Sequence, residues 1–163
     1  MRVAVKHLLW SAVLLVLLSG CVASQQEITR AGLTLTLPES FTDQTEGELN
    51  NGFDIFCINR YVAVCGTKES KQELTAYLDS VETDDYAQAV IDKNKLSCTL
   101  QQTDGVYHFT YTQTVADKSY TYLCVIREAG DTLWLLQSYC ASDKFPELEQ
   151  ELWRYLTDAR IAE

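Results

Sequence analysis

The residues of this chain whose types could do chemistry are five dispersed cysteines, one histidine and a group of aromatics. They are Cys57, Cys65, Cys98, Cys124 and Cys140; His108; and Tyr107, Tyr111, Tyr120, Tyr122 and Tyr139 with Trp134. A thiolate or alkoxide nucleophile needs a base held in place by a third group. His108 is the only histidine beyond the first twenty residues. It alternates with Tyr107 and Phe109, which puts it on the polar strand face of Thr110 and Thr112, so it reads as a sheet-surface residue. No two cysteines have Cys-x-x-Cys spacing, which gives no support to a thioredoxin-like site or a zinc ribbon. Each lies in or beside an apolar stretch, such as Phe56-Cys57-Ile58 or Leu123-Cys124-Val125, the setting of small core residues. The candidate disulfides are Cys57–Cys65 and Cys124–Cys140, each across one hairpin, and neither aligns well with the short turns. The 23 acidic residues meet the two-carboxylate requirement of glycoside hydrolysis without singling out a pair. There is no Asp-x-Asp-x-Asp-Gly calcium loop and no glycine-rich phosphate loop, and no cofactor or metal is expected. The aromatics remain as a candidate ligand surface: Tyr107, Tyr111, Tyr120, Tyr122 and Trp134. Stacked rings line sugar and peptide sites, and cross-strand aromatic pairs also stabilise sheets.

The elements that position these residues follow from periodicity. Leu33-Thr34-Leu35-Thr36-Leu37 alternates as a half-buried strand does, and Pro38 ends it. Phe41 to Glu48 reads as a loop. Phe53 to Ile58 and Tyr61 to Cys65 form two strands joined through Asn59-Arg60. Leu74, Tyr77, Leu78 and Val81 predict a helix over 68–81, and Thr83-Asp84-Asp85 supplies a cap and an acidic first turn for a second, about 84–93. Strands follow at Ser97–Leu100, Val106–Thr114, Ser119–Arg127 and Thr132–Tyr139, separated by Asp104-Gly105, Ala116-Asp117-Lys118 and Ala129-Gly130-Asp131. These short connections make a meander. Ser142 or Asp143 opens a last helix with Phe145, Leu148, Leu152, Tyr155 and Leu156 on one stripe. Strands and helices that do not strictly alternate define an α+β class.

The first residues are an address. Arg2 and Lys6 precede Leu8–Leu18, an apolar run broken only by Ser11. It suits a secretory signal and is short for a membrane span of ~20 residues. Leu18-Ser19-Gly20-Cys21 then resembles the lipobox of bacterial lipoprotein precursors. That resemblance implies cleavage between Gly20 and Cys21 by a lipoprotein-processing enzyme. It also implies a diacylglyceryl thioether on Cys21 and acylation, with palmitate, of the new N-terminus. Two other readings are an uncleaved anchor over 3–20 and an ordinary cut after Ala23. The lipoprotein reading divides the chain into a signal peptide (1–20), a short tether (21–26) and one α+β domain (27–163). Losing Arg2 and Lys6 takes the formal charge from −10 to −12. Such an acidic chain is not expected to bind nucleic acid, which calls for a basic patch.

The order of elements also resembles the PsbP-like family and its bacterial lipoprotein relatives. The matching pieces are Leu35-Thr36-Leu37-Pro38-Glu39-Ser40-Phe41, Asp85-Tyr86-Ala87, Tyr120-Thr121-Tyr122, Leu133-Trp134-Leu135-Leu136-Gln137 and the terminal amphipathic helix. The resemblance implies a meander-rich antiparallel sheet with helices packed on both faces. It also implies a binding or assembly factor without a shared catalytic site. The expectation is a lipid-anchored protein on the extracytoplasmic side of a bacterial membrane, an outer membrane where the host has one, with an envelope protein as partner. Two alternatives stand beside it: an extracytoplasmic hydrolase using carboxylates, and a sensory or stabilising subunit of a membrane complex.

Overall fold

The computed structural model describes residues 24–162. The signal, the Gly20–Cys21 cleavage point and the lipidation residue Cys21 lie outside the described residues. Strand β1 (Gln25–Arg30) turns through Ala31-Gly32, both at positive φ, into β2 (Leu33–Pro38). Gln25 and Gln26, expected in the tether, are thus the first residues of β1, in register with Pro38 and Leu37. The Gln26 amide also donates to the carbonyl oxygens of Pro38 and Phe41, fixing the chain as it leaves β2. A short β10 (Arg160–Ile161) adds to β2 to complete a three-stranded sheet.

The larger sheet has seven strands in the order β3-β4-β5-β9-β8-β7-β6. They are β3 (Thr42–Asp43), β4 (Ile55–Ile58), β5 (Val62–Ser70), β6 (Gln101–Thr103), β7 (Val106–Val115), β8 (Lys118–Ala129) and β9 (Thr132–Ala141). All neighbours are antiparallel. The helix expected over 68–81 is instead the end of β5 followed by one turn of helix, α1 (Lys71–Leu74). Ladder pairing of Lys68, Glu69 and Ser70 with β9 outweighs the helical spacing. Ser97–Leu100 is not a strand; β6 starts at Gln101.

Helix α2 (Thr83–Lys93) lies on one face and α3 (Phe145–Thr157) on the other. The cap of α2 is Glu82 rather than Thr83. The Thr83 hydroxyl donates to Glu128 of β8 at 2.7 Å, and Glu128 also pairs with Lys71 at 2.5 Å. One carboxylate thereby ties α1, α2 and the sheet together. The cap of α3 is Lys144, later than the expected Ser142 or Asp143, and Pro146 sits in the first turn, where no backbone donor is needed.

Alternation divides the sheet residues between two cores. Ile55, Val64, Leu123, Val125, Trp134 and Leu136 point to the face covered by α3 and the three-stranded sheet. There the two sheets meet closely: a Cβ on Gly66 would lie 2.9 Å from Leu136 and 3.3 Å from Leu33. On the opposite face, Tyr86, Ala87 and Ile91 of α2 pack on Phe109, Cys124, Ile126 and Leu133. A third, smaller cluster of Phe56, Ala63 and Cys65 with Phe53, Ile58 and Tyr139 sits beside it and includes no residue of α2.

Candidate functional site

The register sets Tyr111, Tyr122 and Tyr139 directly opposite one another across β7, β8 and β9. Tyr111 and Tyr122 stack at 4.8 Å and 4°, and Tyr122 and Tyr139 at 4.7 Å and 29°. Because the rings face each other, the row offers edges and hydroxyl groups to solvent rather than open ring faces. It borders the ground covered by α2, and all three tyrosines are half-buried. The row continues through Ala63 and Ile58 of β5 and β4. The small Ala63 is the floor of a cleft of about 390 Å³. Tyr139 and Tyr120, edge to face at 6.5 Å, form one wall, and Ile58, Arg60 and Tyr61 the other. Tyr61 is 61% exposed, with the Arg60 guanidinium 5.2 Å from its ring centre. At the other end of the row, Tyr111 borders a cleft of about 490 Å³ with Asn94, Lys95, Phe109, Gln113 and Gln137.

Among the described residues no carboxylate lines either cleft, and the charged lining residues are Arg60 and Lys95. In a chain of formal charge −10, the tyrosine row therefore lies between two cation-bearing hollows. Burial pushes the Tyr139 phenol up to about 12 and raises Tyr111 and Tyr122 as well. Burial likewise pushes the Cys57 thiol up to about 12 and holds Cys65 and Cys124 above the ordinary thiol range. These phenols and thiols are neutral at physiological pH, so none of them is a poised nucleophile.

Of the residues expected at the ligand surface, Tyr111, Tyr120 and Tyr122 come together, joined by Tyr139. Tyr107 shares their face but lies opposite Ile126, within the cluster under α2. Trp134 is a correction: it is fully buried in the core on the other face. It lies five positions from Tyr139 on one strand, and an odd separation sends two side chains to opposite faces. That parity was available in the sequence, whereas Ile58, Arg60, Tyr61 and Ala63 become visible only once β4 and β5 are placed beside β9.

Both candidate disulfides fail for the same reason. Cys57 lies opposite Val64 and Cys65 opposite Phe56, so the two thiols point to different faces. Cys124 opposes Gln137 and Cys140 opposes Thr121, again on different faces. All five thiols are free. His108 stays on the face of Thr110, as expected, with Nε2 2.9 Å from the Thr103 hydroxyl and its ring against Trp153 at 4.9 Å. Burial lowers its pKa. Among the described residues, no three His, Cys, Asp or Glu side chains converge as a metal site, and no helix is long and apolar enough to cross a membrane.

This architecture is an α+β domain of the PsbP-like fold. No protein-family model and no curated protein matches the chain. Among solved structures it is similar to CyanoP, the cyanobacterial PsbP of Synechocystis, at 14% identity over 88% of this chain and 98% of that one, with a TM-score of 0.55. It is also similar to Mog1p, a Ran-binding protein of Saccharomyces cerevisiae, at 7% identity over 86% and 97% of the two chains, TM-score 0.58. A third is LpqN of Mycobacterium tuberculosis, described as involved in cell envelope biogenesis, at 9% identity over 86% and 91%, TM-score 0.52. At these identities the likeness is one of fold.

Proposed function

We propose that this protein is a lipid-anchored, extracytoplasmic binding or assembly factor of the bacterial cell envelope, held to its membrane through Cys21. The observation that carries the binding role is the tyrosine row set between two clefts without a carboxylate. It supplies hydroxyls, ring edges and two cations, and no general acid or base pair of the kind a carboxylate hydrolase requires. The surface fits an extended segment of an envelope protein that carries an anionic group to meet Arg60 or Lys95. The lipobox supports the anchor, and the shared fold with an envelope-biogenesis protein accords with the location. Strand β1 starts at Gln25, so the link from Cys21 spans at most ~14 Å. The domain then rests against the headgroups, which suits a partner embedded in the same membrane.

Two experiments test this reading. Intact-mass measurement in a bacterial host is expected to show lipid on the wild-type chain and none on Cys21→Ala; a wild-type chain without lipid removes the anchor. A photo-crosslinker placed at Tyr61, beside the cleft, is expected to give one envelope-protein adduct in native membranes. Arg60→Glu together with Tyr139→Ala should abolish it, while a crosslinker at Thr29 on the other sheet should not give it. Adducts shared equally by both positions would remove the binding surface.

A further inference from the structure

The seven-stranded sheet ends differently at its two edges. At one edge β3 is two residues long, and Asp43 is paired with Arg30 at 2.7 Å. A short, charged strand is a usual way to blunt an edge. At the other, β6 covers only Val106–His108 of the ten-residue β7. Two-residue loops with both φ values positive, Asp104-Gly105 and Ala116-Asp117, close the hairpins on either side of β7. Such loops fix the phase of hydrogen bonding. Odd-numbered residues from Tyr107 to Val115 exchange bonds with β8, and even-numbered residues direct N–H and C=O outward. Val106 and His108 use theirs on β6, while Thr112 and Thr114 have no backbone partner among the described residues. Residues 112–115 are exposed, and no charged residue or proline occurs from Gly105 to Val115.

We propose that a second copy of this chain completes this edge, β7 pairing antiparallel with the partner's β7 through Thr112 and Thr114 so that two sheets become one across a two-fold axis. Outward N–H and C=O groups at every second residue are complemented by an extended polypeptide backbone. Thr110-Tyr111-Thr112-Gln113-Thr114 presents threonine at each outward position in either direction. Setting Thr112 opposite the partner's Thr114 places Gln113 opposite the partner's Gln113 and Tyr111 opposite the partner's Val115. Among the paired residues no like charges meet, which matters for two acidic chains. This register leaves the partner's hairpin tip opposite Thr110, clear of β6, which begins opposite His108. The axis runs perpendicular to the sheet. It keeps both tyrosine rows on one side and both three-stranded sheets, with their N-termini, on the other. Two copies anchored in one membrane plane can adopt that arrangement. The pairing rests on the edge of β7 and does not require the tyrosine face to bind anything.

Sedimentation and amide hydrogen exchange on the processed chain test the pairing. The expected result is a dimer that dissociates on dilution, with the Thr112 and Thr114 amides protected only at dimer-forming concentrations. Thr112→Pro removes an outward N–H without touching the β8 ladder, and Thr114→Lys places a cation on either side of the axis. Both are expected to give a folded monomer, with the amide at 114 unprotected in each and the Thr112 amide unprotected in Thr114→Lys; where Thr112→Pro disturbs folding, Thr114→Lys decides. A chain that is monomeric at every concentration, or a dimer unchanged by Thr114→Lys, overturns the proposal. So does protection of these amides that appears only when a different envelope protein is added.

Discussion

Tyr122 is the middle ring of three, so its replacement removes two stacked pairs at once. Each such pair contributes roughly 0.5–1.5 kcal/mol beyond burial, so Tyr122→Ala should lose about 1–3 kcal/mol in urea unfolding from stacking alone. Tyr122→Phe keeps the rings and should stay within about 0.5 kcal/mol; a large loss in the phenylalanine variant would mean the hydroxyl, not the stack, holds the site. The raised phenols and thiols also set a pH dependence. Tyr139 rises from an ordinary value of 10.0 to about 12, and Cys57 from 9.0 to about 12. A group whose pKa is raised by folding stabilises fully below its unfolded pKa and loses that contribution as pH climbs through the folded value. Stability should therefore be level up to about pH 9 and fall between about 9 and 12, read by the unfolding midpoint at each pH. In the native protein Cys98, half-exposed, should react with a thiol reagent well before Cys57, Cys65, Cys124 and Cys140. Equal rates for all five would contradict the described burial. At this scale the sequence was informative about parity: alternation alone put His108 with Thr110 and the tyrosines of β7 together.

Elements were legible where local chemistry agreed with the ladder, and obscure where it did not. The meander from Val106 to Ala141 could be read because each turn carries a residue that tolerates positive φ: Asp104 and Gly105, Asp117, and Gly130. Residues 68–81 misled because Leu74, Tyr77, Leu78 and Val81 have helical spacing while Lys68–Ser70 pair with Thr132–Trp134 of β9, a distant partner whose register no local pattern encodes. Gly66 offered no cue either, since its role lies between two sheets. A methyl there would meet Leu136 at 2.9 Å, Ile55 at 3.1 Å and Leu33 at 3.3 Å. Gly66→Ala is accordingly expected to destabilise by about 1–3 kcal/mol through overpacking, measured by thermal or denaturant unfolding. Glu128 works differently, as an exposed tie between Lys71 and Thr83. Glu128→Gln should shift global stability by less than about 1 kcal/mol yet speed amide exchange in the first turn of α2. Unchanged exchange there would mean that packing alone seats the helix.

For the whole molecule, the α+β class could be read from the order of elements, the placing of helices on both faces of an antiparallel sheet came from the PsbP-like resemblance, and the fold matches both. Less legible was which part of each face stays bare, because that depends on α2 covering one half of a sheet whose width is set by distant pairings. Charge is distributed with the same unevenness: among the described residues no carboxylate lines the two clefts that flank the tyrosine row, although the chain is acidic. The β4–β5 and β8–β9 hairpins each send their two cysteines to opposite sides of the sheet. In an oxidising compartment an unfolded chain with these thiols is at risk of wrong crosslinks, and sequence neighbours such as Cys57 and Cys65 would meet first. Once the strands pair, a sheet of backbone stands between them. The fold thus acts as a kinetic safeguard: in the extracytoplasmic location proposed for this protein, folding would have to outrun oxidation.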